Sequence, residues 1–257
     1  LAREAAGLLL ETDPADGSDW SAFALARWEG EARQDWFDGY YAAVEVRVAE
    51  CGGVLHERKY TEYSRLILAL TALGKDPADV GGYNLLIPLA DFDQTVFQGV
   101  NGAAMALLAL DSGSYEIPEN TAGTTQATRE LYLEHILSTQ LPGGGWSLAG
   151  EDAEIDLTAM ALQALANYRD RAEVDRAIDK ALAVLSQRQN NRGGYTAYGV
   201  DSSEAVSQTI IALAALEIPL EDPRFVKDGK GLLDALAAFR QRDGGFAPLP
   251  GGKTDLL

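Results

Sequence analysis

Apolar positions along this chain follow the period of a helix almost throughout. One phrase recurs: a polar or aromatic entry, then small and aliphatic residues rich in Ala-Leu pairs. It reads WSAFALAR at 20–27, YSRLILALTAL at 63–73 and QGVNGAAMALLAL at 98–110, then DLTAMALQAL at 156–165 and SEAVSQTIIALAAL at 203–216. Period-2 alternation is rare, so strands are not expected. The phrases return at roughly 40 to 55 residues, at or just above the usual spacing of helical repeats. Between them the pattern predicts more charged, amphipathic helices near 2–12, 34–51, 83–91, 124–139, 171–189 and 229–241.

The two kinds of helix differ in how much of their surface is apolar. Residues 63–73 and 203–216 are apolar nearly all round, as a helix covered on every side must be. Residues 171–189 carry one stripe, Val174, Ile178, Ala181, Leu182 and Leu185, as an outer helix would. Alternation of the two kinds makes a double layer, an inner ring wrapped by an outer one. The reading is all-α: a single (α/α)6 toroid over 1–257, its last inner helix starting at TDLL (254–257) and truncated there. An open helical solenoid is the alternative. Three glycine-aromatic turns, QLPGGGW (140–146), QNNRGGY (189–195) and RQRDGGF (240–246), each follow an outer helix and precede an inner one, which favours closure.

Charge narrows the function. With 39 acidic and 21 basic residues the formal net charge is −18, which argues against nucleic acid and anionic membrane surfaces. Apolar runs of about ten residues are too short to span a bilayer. The single cysteine, Cys51, excludes an internal disulfide framework and a multi-cysteine metal site. The start at Leu1, with neither initiator Met nor signal peptide, suggests a fragment or a processed chain.

At the glycine-aromatic turns the chain resembles the terpenoid-cyclase and prenyltransferase superfamily of α/α toroids. Gln140…Trp146 and Gln189…Tyr195 look like its Q-x-x-x-G-x-W repeat, and Arg240 departs from it. Class II cyclases of that superfamily carry D-x-D-D-T-A, where this chain has Glu154-Ile155-Asp156-Leu157-Thr158-Ala159. The resemblance would make Asp156 the proton donor, but the adjacent aspartate that would orient it is Leu157. Zinc-dependent protein prenyltransferases would need Asp, Cys and His together, whereas Cys51, His56 and His135 stand on separate segments without ligand spacing. A second branch, the cobalamin carriers of the intrinsic factor and transcobalamin type, and bacterial surface proteins with a similar toroid, is closer. Its likeness lies in Tyr63-Ser64…Ile67-Leu68-Ala69-Leu70, in Asp156…Ala159-Met160-Ala161, and in residues 69–86 and 98–113.

This resemblance implies a non-catalytic module of a bacterial surface or secreted protein. It would bind a small hydrophobic molecule or a corrinoid, with cobalamin the implied ligand, or a protein partner. The site would be the barrel mouth formed by the inner-helix starts, with Asp156, Tyr63, Gln98, Asn101, Gln208 and Glu204 as its residues. A class II cyclase with Asp156 as general acid, and a purely structural adhesin module, are the alternatives. The residues also carry plainer readings. Asp156 is expected to cap a helix, with Ile155 and Met160 as a hydrophobic staple. Asp201 and Glu204 form a D-x-x-E capping box. Gln208 needs a partner on a neighbouring helix or a ligand. Arg65 is expected to form an ion pair with the acidic cluster Glu151, Asp152, Glu154 and Asp156. Trp20 and Trp146 are expected as core or turn anchors, and Trp28, Trp36, Tyr40 and Tyr41 as packing between outer helices. GGYN (81–84) and PGGGW (142–146) follow no strand and are not nucleotide loops. A pair of carboxylates across one cleft, as in glycosidases, could come only from Asp156 and Glu204.

Overall fold

The computed structural model describes residues 2–28, 30, 33–197 and 199–255. The protein is all-α: about 55% of it is helical, and the one sheet among the described residues is a hairpin of two-residue strands, β1 (Thr196–Ala197) and β2 (Val200–Asp201). The recurring phrases become α2 (Asp19–Arg27), α4 (Thr61–Ala72), α6 (Val100–Ser112), α8 (Ile155–Leu165) and α10 (Ser203–Ala215). The amphipathic segments become α1 (Ala2–Leu10), α3 (Gln34–Glu50), α7 (Arg129–Ser138), α9 (Ala172–Arg188) and α11 (Leu232–Ala237). The expected helix at 83–91 does not form. Val80 and Tyr83 close a tight bridge over Gly81 and Gly82, both at positive φ, and Pro88 then admits only a 3₁₀ turn, Ile87–Ala90, before the short α5 (Phe92–Thr95).

The chain forms two compact units, one of residues 2–98 and 105–132, the other of 99–104 and 133–255. In the second, α8 packs on both α9 and α10, and α11 packs on α10. Gln163 bonds Gln208 at 2.8 Å and Arg169 reaches the Leu216 carbonyl at 3.5 Å, so α8 and α10 run parallel. The expected stripe of α9 is buried at all five positions. In the first unit α2 packs on α4. Gln98 accepts from the Thr61 amide and hydroxyl at 3.2 Å, and Ser112 bonds Thr71 at 3.3 Å, so the segment 98–112 runs parallel to α4. In the second unit the parallel helices α8 and α10 are thus flanked by α9 and α11.

The glycine-aromatic turns share one backbone pattern. In each, the second residue donates to the sixth and the fifth donates to the second, at Leu141/Gly145, Asn190/Gly194 and Gln241/Gly245. Gly144, Gly193 and Gly244 sit at φ +92°, +81° and +95°. A Cβ at Gly144 would lie 2.8 Å from the Lys180 carbonyl oxygen, and one at Gly193 2.4 Å from that of Gly231. Gly144 and Gly193 are thus demanded both by φ and by the next outer segment pressing on them, and Gly244 by φ. The glutamines at the head of the turns tie the same layers, Gln140 donating to the Ala177 carbonyl and Gln189 to that of Phe225, each at 2.8 Å. Trp146 is fully buried and donates its indole N–H to the Ile136 carbonyl at 2.7 Å. Helix ends repeat too. Gly52, Gly74, Ser114 and Glu217, all at positive φ, are each followed by an amide bonded to the carbonyl five residues before it, at 2.8–2.9 Å.

Candidate functional site

A cleft of about 610 Å³ among the described residues lies within the first unit. Four separate segments build it. The turn after α3 supplies Gly52 to Val54, His56 and Glu57; the first turn of α4 supplies Tyr60 and Tyr63; residues 82–91 and 120–122 close the other walls. Tyr60 and Tyr63 meet edge to face, centroids 5.3 Å apart at 70°. Tyr83 lies against Gly53, where a Cβ would come within 2.6 Å of its ring. At φ +80°, Gly53 is needed both for the helix end and to seat that tyrosine. Val54 and Ile87 leave apolar surface open at the cleft, 55% and 50% exposed.

Its polar groups differ in how far the fold has already used them. His56 Nδ1 accepts from the amides of Arg58 and Lys59, both at 3.0 Å, which holds the loop and leaves Nε2 as the protonated nitrogen of the neutral ring. Asn120 accepts from Ala122 at 3.0 Å and donates to Thr124 at 2.8 Å. Asn84 accepts from the Leu86 amide at 2.9 Å, which leaves its Nδ2 with no protein acceptor among the described residues. Asp91, 7% exposed, caps α5 by accepting from the Gln94 amide at 3.1 Å. Burial pushes the Tyr60 phenol above its ordinary 10.0, and the neighbouring Tyr63 and Asp91 push it the same way. Burial likewise raises Tyr63, against the backbone of His56 and Leu55, which lowers it.

A second buried acid serves the fold. Asp19 is 3% exposed; Oδ1 accepts from the Tyr40 hydroxyl at 2.7 Å and from Arg47 at 2.8 Å, and Oδ2 from Arg65 Nε at 3.1 Å. Burial raises this carboxyl, but the Arg47 charge and the three hydrogen bonds outweigh it and hold the pKa below 3.8. Asp19 thereby ties the start of α2 to α3 and α4. This is where Arg65 finds its ion pairs, with Asp19 and with Glu62 at 2.5 Å, rather than in the acidic cluster at 151–156. Trp36 stacks on Tyr40 one turn along the same helix at 5.9 Å and donates to the Thr12 carbonyl at 3.1 Å, whereas Trp20 is 40% exposed and anchors no core.

Of the six residues expected at a common mouth, Tyr63 lines the cleft. Gln98 is engaged by Thr61 and Gln208 by Gln163 of α8, the neighbouring-helix partner that was one of its two expectations. Asn101 carries a buried Oδ1 without a partner among the described residues. Asp156 and Glu204 are exposed in the first turns of α8 and α10, at the same end of that parallel pair. Neither is a cap. Glu154 stands at the N-cap of α8, which moves Ile155 and Met160 out of the staple positions, and its carboxylate accepts from Ser147 at 2.9 Å. Ser202 caps α10 through the Ala205 amide at 3.2 Å, while Asp201 binds Arg192 at 2.6 Å. The chain enters each helix one or two residues away from the expected cap because Thr158 and Ser202 are drawn into the preceding turn: Thr158 Oγ1 accepts from the Trp146 amide at 3.0 Å, and the Ser202 amide donates to the Tyr195 carbonyl at 3.1 Å.

No cluster of three or more His, Cys, Asp and Glu that could hold a metal occurs among the described residues. No helix among them is long and apolar enough to cross a membrane. Besides Tyr63, the cleft had a trace in the sequence in the GGYN run at 81–84, whose Gly82, Tyr83 and Asn84 form part of its wall. Compared with known proteins, the chain matches no family model, no curated protein and no solved structure.

Proposed function

We propose that this chain is a non-catalytic small-molecule-binding module of a bacterial surface or secreted protein, its helices closed into an (α/α)6 toroid, with the tyrosine-lined cleft as its binding site. The observation that carries the reading is the cleft itself. Its volume, about 610 Å³, falls in the range of about 300–1,000 Å³ usual for small-molecule sites. It combines aromatic and aliphatic walls with a few polar groups, the composition that gives a ligand both contact area and orientation. Binding rather than turnover is favoured because His56, the one imidazole in the lining, has its acceptor nitrogen engaged by the backbone. Closure into a toroid is supported by the parallel buried helices within each unit and by the identical glycine turns.

The test is calorimetric titration of the protein with cobalamin, cobinamide and a small-molecule library, beside Tyr60→Ala and Asp156→Ala. Binding that weakens at least about tenfold in Tyr60→Ala and is unchanged in Asp156→Ala supports the cleft. The opposite pattern moves the site to the helix starts. Silence throughout leaves a structural or protein-binding module.

A further inference from the structure

Asp19 and Asp91 are the two buried acids among the described residues, and the fold treats them oppositely. Asp19 is surrounded by two arginines and a tyrosine hydroxyl. Asp91 has one hydrogen bond, from the Gln94 amide to Oδ1 at 3.1 Å. Among the described residues its Oδ2 accepts no hydrogen bond and no lysine or arginine forms an ion pair with it. A carboxylate withdrawn from water is costly unless something pairs with it. Asp91 as a residue is 7% exposed, and its second carboxylate oxygen keeps its opening to solvent at the wall of the cleft, where no protein cation among the described residues meets it.

The rest of the lining has the same sign. Tyr60, Tyr63 and Tyr83 contribute rings whose faces are negative, and Glu57 adds a second carboxylate. His56 is the one basic side chain in the lining. An anionic ligand would meet repulsion from both acids, and a neutral one would leave Asp91 uncompensated. Resting on the reading of this cleft as the ligand site, we propose that it takes an organic ammonium ion carrying an apolar body. The cationic head sits against Asp91 and the tyrosine rings, and the body lies along Ile87 and Val54. A primary ammonium and a quaternary one share this chemistry; they differ in whether the head donates a hydrogen bond to Asp91.

The experiment uses three probes of one shape: benzylammonium, benzyltrimethylammonium and benzyl alcohol, titrated into the whole chain by calorimetry, with the Tyr60 and Tyr83 ring signals followed by NMR. At least one cation is expected to bind about tenfold or more tighter than the alcohol. Asp91→Asn keeps the cap on Gln94 and is expected to abolish that preference while changing alcohol binding by less than about twofold. Tyr60→Leu, which removes a ring without touching a charge, is expected to weaken both cations more than the alcohol. Which cation is tighter identifies the head group, and either order supports the proposal. Alcohol binding equal to that of both cations, or a preference that persists in Asp91→Asn, overturns the ammonium assignment and leaves the cleft as a site for neutral ligands. If no probe binds at millimolar concentration and the ring signals stay unmoved, the cleft reading falls with it.

Discussion

Gly193→Ala is the substitution that most directly questions the layered repeat. The residue sits at φ +81°, and its Cβ would lie 2.4 Å from the Gly231 carbonyl oxygen and 2.9 Å from its carbon. Two costs are involved, and a second glycine separates them. Gly199 has nearly the same φ, +83°, but nothing within 4 Å of an added Cβ. Alanine at Gly199 therefore carries only the left-handed strain, about 1–2 kcal/mol. The lower entropy of the unfolded chain returns about 0.4–1 kcal/mol of that, so the net cost is about 1 kcal/mol. At Gly193 the start of α11 must also move away from the turn, and overpacking of this kind costs a further 1–3 kcal/mol or so. The expected total is about 2–4 kcal/mol, a large share of an ordinary domain's stability. Urea unfolding followed by far-ultraviolet circular dichroism gives both midpoints. If Gly193→Ala costs no more than Gly199→Ala, the contact between the turn and the next outer segment does not exist in solution.

Four further outcomes follow from the same reasoning. Glu217→Gly should stabilise the protein by about 0.5–1 kcal/mol, since Glu217 holds φ +56° at a helix end that Gly74 occupies at +69° in the equivalent place; thermal melting checks it. Asp19→Asn should cost about 1–3 kcal/mol at neutral pH, the lower end reflecting how far Arg47 and Arg65 remain in contact with water. Because the folded Asp19 pKa is depressed below 3.8, its contribution is complete above about pH 4 and lost on acidification, so the gap between wild type and variant should close below pH 4. Burial lowers the His135 pKa below 6.5, so the unfolded chain takes up that proton first. Stability should then fall as pH drops through 6.5, and His135→Gln should flatten that part of a pH series of urea midpoints. Asp91→Asn, in contrast to Asp19→Asn, should change the melting temperature little, because no arginine or lysine among the described residues pairs with that carboxylate and the amide keeps the cap.

The helices were legible because burial on all sides and burial on one stripe leave different marks in a sequence. Val174 to Leu185 reads as one face of a helix and is buried as one face. The failure at 83–91 has a local cause: Leu85, Leu86 and Leu89 are buried as an outer helix would bury them, but Gly81-Gly82 and Pro88 impose turns on the same spacing. Apolar periodicity records which side chains face inward and not how the backbone carries them there. Cap positions slipped at α8 and α10 for a related reason. Asp156 and Asp201 are good caps in isolation, yet the residue that enters the helix is chosen by the glycine turn before it, which takes Thr158 and Ser202 as partners.

The candidate site was less legible, because nothing in a local window joins Gly53 to Tyr83 or Tyr60 to Asp91. A cleft assembled from four segments has no spacing of its own. The acids conspicuous in the sequence, Asp156 and Glu204, are left exposed in water by the fold, where a carboxylate costs nothing and needs no partner. Asp91 and Asp19 stand in equally unremarkable surroundings in the sequence, each just ahead of an aromatic residue. What separates them is tertiary: two arginines reach Asp19, and tyrosine rings reach the cleft that Asp91 faces. The fold uses the second kind of acid through one oxygen only, as the cap of α5. The position of its other oxygen at the wall of an aromatic cleft is accounted for if the missing counter-charge arrives with a ligand, which is why the charge of the ligand, more than its size, is the property by which this site should be tested.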